Sequence, residues 1–282
     1  MSQLDRRELT ELIHFGQRAV LRAGRLILSH FDADIAVDMK EDRSPVTIAD
    51  RRAEEQIREM IERELPGHGC VGEEHGQLDP GADYVWIVDP IDGTDSFIRG
   101  VPLFGTLLGL QHRGEYVLGV VGFPALGILV WGAQGLGAFE DGRPIRARPT
   151  RRLAEATLCT TSRKLIGGAG WDDAFQRLQA ACLIDRGWGD CYGHFLVARG
   201  RVDLMLDVTM KPWDMAALVP ILREAGATVT DLRGGPIVGA DTMLSACTTE
   251  LHRAALEHIA PASPALTSPA GTAPPPSWSP AR

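Results

Sequence analysis

Several common chemistries have little to work with in this chain. Its five cysteines, at positions 70, 159, 182, 191 and 247, are scattered, odd in number and without a C-x-x-C pair. That spacing favours reduced cytoplasmic thiols over a disulfide framework or a zinc site. The eight histidines contain no H-E-x-x-H pattern. Basic residues are outnumbered 29 to 37, giving a net charge of −8, which argues against a nucleic-acid-binding surface. The longest apolar run, 117–131, is interrupted by glycines and Pro124 and is too short to cross a bilayer. The first residues, M-S-Q-L-D-R-R-E-L-T-E, lack the apolar stretch of a signal peptide, so a cytoplasmic location is expected. There is no internal repeat. What remains is 282 residues of ordinary globular composition, long enough for one large domain or two small ones.

The informative stretch runs from Trp86 to Phe97, W-I-V-D-P-I-D-G-T-D-S-F. It opens as an apolar strand and ends in a tight turn that leads into a helix. Asp89, Asp92 and Asp95 stand at that turn. Carboxylates this close repel one another, and taking them out of water unpaired is costly. A cation among them resolves both problems, and hard oxygen ligands with an open, wettable position suit Mg²⁺. Gly93 allows close approach of the backbone to a ligand, and the amides that follow can face an anion. Metal and helix N-terminus together describe a phosphate site.

The rest of the chain supplies an α/β framework. Leu9, Leu12, Ile13, Ala19, Val20, Ala23, Leu26 and Ile27 recur at helical spacing and predict a first helix over 5–30. A polar segment, Asp38 to Ser44, reads as an exposed loop or a hairpin, or as a charged loop near the metals. Thr47 and Asp50 then fit the N-cap and acidic first turn of a second helix that stops before Pro66-Gly67. Residues 101–139 read as an antiparallel meander. Helices over 171–181, over 186–199 with Gly200 as C-cap, and over 212–225 alternate with strands over 202–207, 227–230 and 243–246. Pro220 should kink the helix that holds it, and a last helix spans 249–259. Residues 261–282, rich in Pro, Ala, Ser and Thr, are expected to be disordered and functionally silent.

Three segments, taken in order, carry a family resemblance. G-E-E (72–74), D-P-I-D-G-T-D-S-F (89–97) and K-P-W-D-M-A-A-L (211–218) resemble the motifs of the inositol monophosphatase superfamily, over roughly residues 5 to 260. That superfamily comprises Mg²⁺-dependent, lithium-sensitive phosphatases of small metabolites. The resemblance implies a five-layered αβαβα sandwich, with an α+β half over 1–150, a smaller α/β half over 151–260 and the metals between them. It implies two or three Mg²⁺: Glu73, Asp89 and the Ile91 carbonyl at the first, Asp89, Asp92 and Asp214 at the second, and Glu73 aiding a weaker third. Thr94, with Asp50 behind it, would orient the attacking water, and the Gly93 and Thr94 amides would hold the phosphate. Asp95 has no metal role in this pattern. The family is often dimeric, so a homodimer is compatible, with a small phosphate ester as the other partner and neither nucleic acid nor membrane.

Within the superfamily, S-F-I-R-G-V-P-L-F-G and R-G-W-G-D-C-Y-G-H look most like the histidinol-phosphate phosphatase branch. Asp190 and Asp207 fall where the family contacts the alcohol half of its substrate. Acidic groups there suit the ammonium and imidazole of histidinol better than an uncharged inositol ring. Inositol 1-phosphate and 3′-phosphoadenosine phosphate are the alternative substrates. Two rival readings differ in kind. A covalent aspartyl-phosphatase spaces its aspartates by one residue, whereas here Pro90 and Ile91 both intervene. A non-enzymatic metal-binding protein would have no need of Glu73, Asp50 and Thr94.

Overall fold

The computed structural model describes residues 5–33, 37–40 and 45–260. The charged residues Glu41, Asp42 and Arg43 and the tail 261–282 lie outside the described residues. The first half contains α1 (Arg6–Leu28), β1 (Val37–Met39), β2 (Pro45–Thr47), α2 (Ile48–Glu64), β3 (Gly69–Gly72), β4 (Gly76–Leu78), β5 (Tyr84–Asp92) and the short α3 (Thr94–Phe97). A meander follows: β6 (Gly105–His112), β7 (Glu115–Phe123), β8 (Ile128–Ala133), β9 (Gly137–Glu140) and β10 (Arg143–Pro144). The remainder is β11 (Thr157–Cys159), α4 (Arg163–Gly168), α5 (Asp172–Ala181), β12 (Ile184–Arg186), α6 (Asp190–Ala198), β13 (Leu204–Val208), α7 (Pro212–Ala216), α8 (Leu218–Glu224), β14 (Thr228–Thr230), β15 (Thr242–Ala246) and α9 (Thr249–Ile259).

These elements stack as α, β, α, β, α, as the resemblance implies. An eight-stranded sheet has the order β10-β9-β8-β7-β6-β5-β3-β4, and a five-stranded sheet has the order β12-β11-β13-β15-β14. Helices α1 and α2 cover one face of the larger sheet, burying Ala19, Val20, Ile57 and Ile61 against Trp86, Leu108 and Val120. Between the sheets lie α6, α7 and α8, whose Phe195, Ala216 and Ile221 share a core with Ile87 and Val121 on one side and Met205 and Met243 on the other. Outside the smaller sheet, Phe175 and Leu178 of α5 and Leu251 and Ala255 of α9 pack on Leu158, Leu206 and Leu244.

Two departures from the sequence reading have local causes. The helix expected over 212–225 is two pieces, broken at Ala217. Pro220 has no N–H for the carbonyl four residues earlier, so the break falls just ahead of it. The apolar strand that opens the 86–97 stretch runs on to Asp92, where the sequence predicts a tight turn, through an irregularity between Asp89 and Asp92. That bulge matters, because side chains alternate along a regular strand and residues three apart would face opposite sides. The extra residue returns Asp92 to the side that Asp89 faces.

Candidate metal-dependent active site

Sheet register brings the first two expected ligands together. Strands β3 and β5 run parallel with Gly72 opposite Val88, so Glu73 emerges beside Asp89. The Glu73 N–H donates to the Val88 carbonyl at 3.3 Å. The third acidic turn arrives on α7, which lies directly on the sheet because the strands beneath carry no side chain there. A Cβ on Gly109 would lie 2.6 Å from Ala216, and one on Gly119 would overlap the Ala217 carbonyl. One oxygen from each of Asp89, Asp92 and Asp214 consequently lies within 4.8 Å of the others. Glu73 lines the same cleft. Side chains 141 positions apart in the chain thus converge, as the three motifs require.

Two of the three carboxylates are partly committed to the protein. Asp214 Oδ2 accepts the Lys211 N–H at 2.7 Å, closing the first turn of α7. Asp92 Oδ1 accepts the Cys191 N–H at 3.0 Å. Asp89 Oδ1, by contrast, is buried with no hydrogen-bond partner among the described residues. Burial first, and then the charge of Glu73, holds Asp89 well above the usual carboxylate range. Burial followed by the charge of Asp190 does the same to Asp92, and burial pushes Asp214 up to about 7. An orphaned acceptor amid crowded carboxylates is the arrangement that a hard divalent cation satisfies, so the residues present fit Mg²⁺.

Beyond the carboxylates the chain turns sharply at Gly93, whose φ of 86° is left-handed. The Ser96 and Phe97 N–H groups donate to its carbonyl at 2.9 and 3.0 Å. The Thr94 hydroxyl donates to the Ile91 carbonyl at 2.9 Å, and both residues line the cleft. Asp50 is 1% exposed, and Asp50 Oδ2 accepts from the Thr47 N–H at 2.8 Å and the Thr47 hydroxyl at 2.6 Å. It is the capping residue the sequence indicates. Among the described residues no hydrogen bond joins it to Thr94, because both side chains are engaged locally. Burial pushes Asp50 up to about 6, against the hydrogen bonds from Thr47.

The far wall carries the two aspartates expected to meet the alcohol. Asp190, at the start of α6, has a φ of 53°, and its carboxylate approaches Gly93. Burial and then the charge of Asp207 push it up to about 7. Asp207, on β13, also lines the cleft, with its oxygens accepting from the Thr161 N–H and hydroxyl at 2.9 Å each.

The model of the inositol monophosphatase family matches residues 8–267. The chain belongs to the inositol monophosphatase family. A histidinol-phosphatase of Chlorobaculum parvum is 42% identical over 214 residues, covering 76% of this chain and 83% of that protein. A histidinol-phosphatase of Mycobacterium tuberculosis is 40% identical over 223 residues, covering 76% and 84%. Among solved structures, an inositol monophosphatase from Zymomonas mobilis superposes with a TM-score of 0.81 at 34% identity, covering 89% of this chain and 98% of that one. The protein is therefore a phosphoric monoester hydrolase of a metal-dependent family, and Asp89, Asp92 and Asp214 form an acidic cluster that could hold a metal ion.

Two side chains that the motifs alone do not reveal hold the turn at Glu73 to His75. Glu54 of α2 is fully buried and accepts the Glu74 N–H at 2.7 Å and the His75 N–H at 3.0 Å, with Arg58 paired to it at 2.8 Å. Its carboxylate fills the space that a Cβ on Gly72 would need, which explains the glycine of G-E-E. A signal for it exists, since Glu54 lies in the apolar stripe with Asp50, Ala53, Ile57 and Ile61. Lys40 extends from the hairpin strand edge to Glu73 at 2.6 Å and Glu74 at 2.5 Å. Burial lowers its pKa, but the two glutamates outweigh that and hold it above the usual lysine range. Of the readings open for 38–44, the hairpin is realised by the antiparallel pairing of β1 with β2, and the charged contact with Glu73 and Glu74 by Lys40. No helix among the described residues is long and apolar enough to cross a membrane.

Proposed function

We propose that the protein hydrolyses L-histidinol phosphate to histidinol and inorganic phosphate, with two or three Mg²⁺ held by Glu73, Asp89, Asp92, Asp214 and the Ile91 carbonyl. The observation that carries the substrate reading is the Asp190 carboxylate. It faces the phosphate turn at Gly93, and no protein donor among the described residues reaches it. A neutral polyol leaves such a group only hydroxyl partners, whereas a substrate ammonium completes a charge-assisted pair. The two relatives named histidinol-phosphatase, at 42% and 40% identity, support the same choice.

Divalent ions bound at the acidic cluster would neutralise phosphate charge and lower the pKa of a water molecule. The chain's own residues do the rest. The amides of Gly93 and Thr94 bind phosphate oxygens, and the Thr94 hydroxyl orients the water. Asp50, raised towards neutrality by burial, sits behind them as a proton acceptor near physiological pH. Asp190 and Asp207 hold the alcohol so that the ester bond lies in line with the incoming oxygen. Water supplies the hydroxyl that stays on phosphorus, and its other proton ends on the released alcohol. No side chain becomes covalently phosphorylated. A homodimer and a cytoplasmic location accompany this reading.

Steady-state kcat/KM with Mg²⁺ on histidinol phosphate, inositol 1-phosphate and 3′-phosphoadenosine phosphate, side by side, tests it. Histidinol phosphate should lead by at least about tenfold. A lead for inositol 1-phosphate transfers the protein to the neutral-polyol reading.

A further inference from the structure

Behind the substrate wall of the cleft runs a line of buried polar groups that the metal chemistry does not use. His194 of α6 is wholly buried. Its Nδ1 lies 2.9 Å from the hydroxyl of Ser245 on β15, which is also wholly buried. Its Nε2 faces Asp207 Oδ2 at 3.4 Å and has no hydrogen-bond partner among the described residues. One tautomer suits both neighbours: the Ser245 hydroxyl donates to Nδ1, and Nε2 carries the proton that faces the carboxylate. The other tautomer would aim a lone pair at Asp207.

The line continues to the cleft. The Thr161 hydroxyl donates to Asp207 Oδ2 and accepts the Asp190 N–H at 2.7 Å. That last bond holds Asp190 in its left-handed conformation, which a residue with a side chain adopts only when its surroundings enforce it. Gly189, just before it, is pressed against Thr161, where a Cβ would overlap the threonine backbone. Ser245, His194, Asp207, Thr161 and Asp190 thus form one chain of contacts, from the middle of the smaller sheet to the carboxylate at Gly93.

The geometry points to His194 as a positioning residue that sets substrate selectivity: through Asp207 and Thr161 it aims the Asp190 carboxylate at the cation of the substrate alcohol. This rests on the reading of the substrate as a cationic phosphate ester. Selectivity for the cation then depends on a side chain that never touches it. Were His194 only a core filler, a phenylalanine of similar size would serve as well.

The test uses the full chain with Mg²⁺, on histidinol phosphate and on glycerol 2-phosphate, which has no cation. His194→Phe should raise KM for histidinol phosphate about tenfold, with KM for glycerol 2-phosphate changed less than about twofold. Calorimetric Mg²⁺ binding should be unchanged. His194→Gln, which retains a donor towards Asp207, should recover most of the loss. Equal KM changes for the two esters, or none in either, overturn the proposal. If His194→Phe does not fold, Ser245→Ala reads the same split, at about threefold. A wild-type enzyme that shows no preference for histidinol phosphate removes the substrate reading alone. A crystal structure of His194→Phe, or of Ser245→Ala, then decides the relay. Asp190 leaving its left-handed conformation supports it, and an unchanged Asp190 overturns it.

Discussion

The backbone N–H of Cys191 donates to Oδ1 of Asp92 at 3.0 Å, across 99 positions of sequence. An acidic-cluster carboxylate at the end of β5 is thereby tied to the first turn of α6, which also carries Asp190. The proposed metal end and the proposed alcohol end of the cleft meet at this bond. Substitutions at either end should therefore be read for metal binding and for substrate binding separately.

Asp89→Asn should abolish turnover, lowering kcat/KM by about 10³ or more, because the central carboxylate of the cluster is lost. The same change relieves repulsion in the metal-free protein. Its Tm in EDTA should rise, and the Tm gain on adding Mg²⁺ should vanish. Differential scanning calorimetry with and without Mg²⁺ checks both, and a preserved Mg²⁺-induced gain contradicts the assignment.

Stability should depend on pH in opposite senses with and without metal. Asp50, near 6, and Asp190 and Asp214, near 7, sit above the value of about 3.9 expected for an unfolded aspartate. The metal-free fold thus holds more protons than the unfolded chain between about pH 4 and 7. The stability these groups contribute is fully present below about pH 4 and is lost as the pH rises through 6 and 7. A bound cation displaces those protons, so the Tm gain from Mg²⁺ should be larger at about pH 8 than at about pH 5.5. Equal gains at the two values would count against the cluster as the metal site.

Glu54→Ala strands Arg58 and the N–H groups of Glu74 and His75. A stability loss of about 3 kcal/mol is expected, as for removing one partner of a buried pair. The half-saturating Mg²⁺ concentration should rise about tenfold, since the turn that presents Glu73 loses its anchor. Mg²⁺ titrations of activity, alongside urea unfolding, separate the two effects. An unchanged Mg²⁺ requirement would reduce Glu54 to a purely structural group.

Gly119→Ala pushes a methyl group into the Ala217 carbonyl. Moving α7 off the sheet should cost about 1–3 kcal/mol and carry Asp214 away from Asp89. Reduced Mg²⁺ affinity by calorimetry is the diagnostic result. Gly114→Ala, at a turn where an added Cβ meets nothing within 4 Å, is the control for a strained glycine without close packing.

Asp190→Asn keeps the shape of the side chain and removes its charge. It should raise KM for histidinol phosphate about tenfold or more while altering inositol 1-phosphate by less than about threefold. Equal losses on both esters, measured under the same Mg²⁺ concentration, would remove the charge argument for the substrate.

Helices were legible wherever one face is apolar at regular spacing. The bounds of α1 and α2 fall within two residues of those the periodicity predicts, and Thr47 and Asp50 cap α2 as their types require. The short α4 was not legible, since Arg163 to Gly168 offers one buried side chain and ends in two glycines. The meander was legible from its turns, but the passage of β5 to Asp92 was not, because a bulge leaves no pattern in hydropathy. Glu54 and His194 are not legible in the sequence, for a common reason. A charged or polar residue in a helical stretch reads as solvated, and only its neighbours from other elements reveal that it is buried and bonded.

By itself, the sequence determined the acidic residue types of the candidate site, their order and the helices that begin after Gly93 and Lys211. Caps, turns and ligand motifs are written over a few adjacent residues, within reach of local sterics and hydrogen bonding. Only the tertiary structure decided that Glu73 stands beside Asp89, that α7 lies flush on the sheet, and that His194 stands behind Asp207. Strand register, the bulge at Pro90-Ile91 and bare glycine surfaces set those distances, and each arises from contacts between segments far apart in the chain.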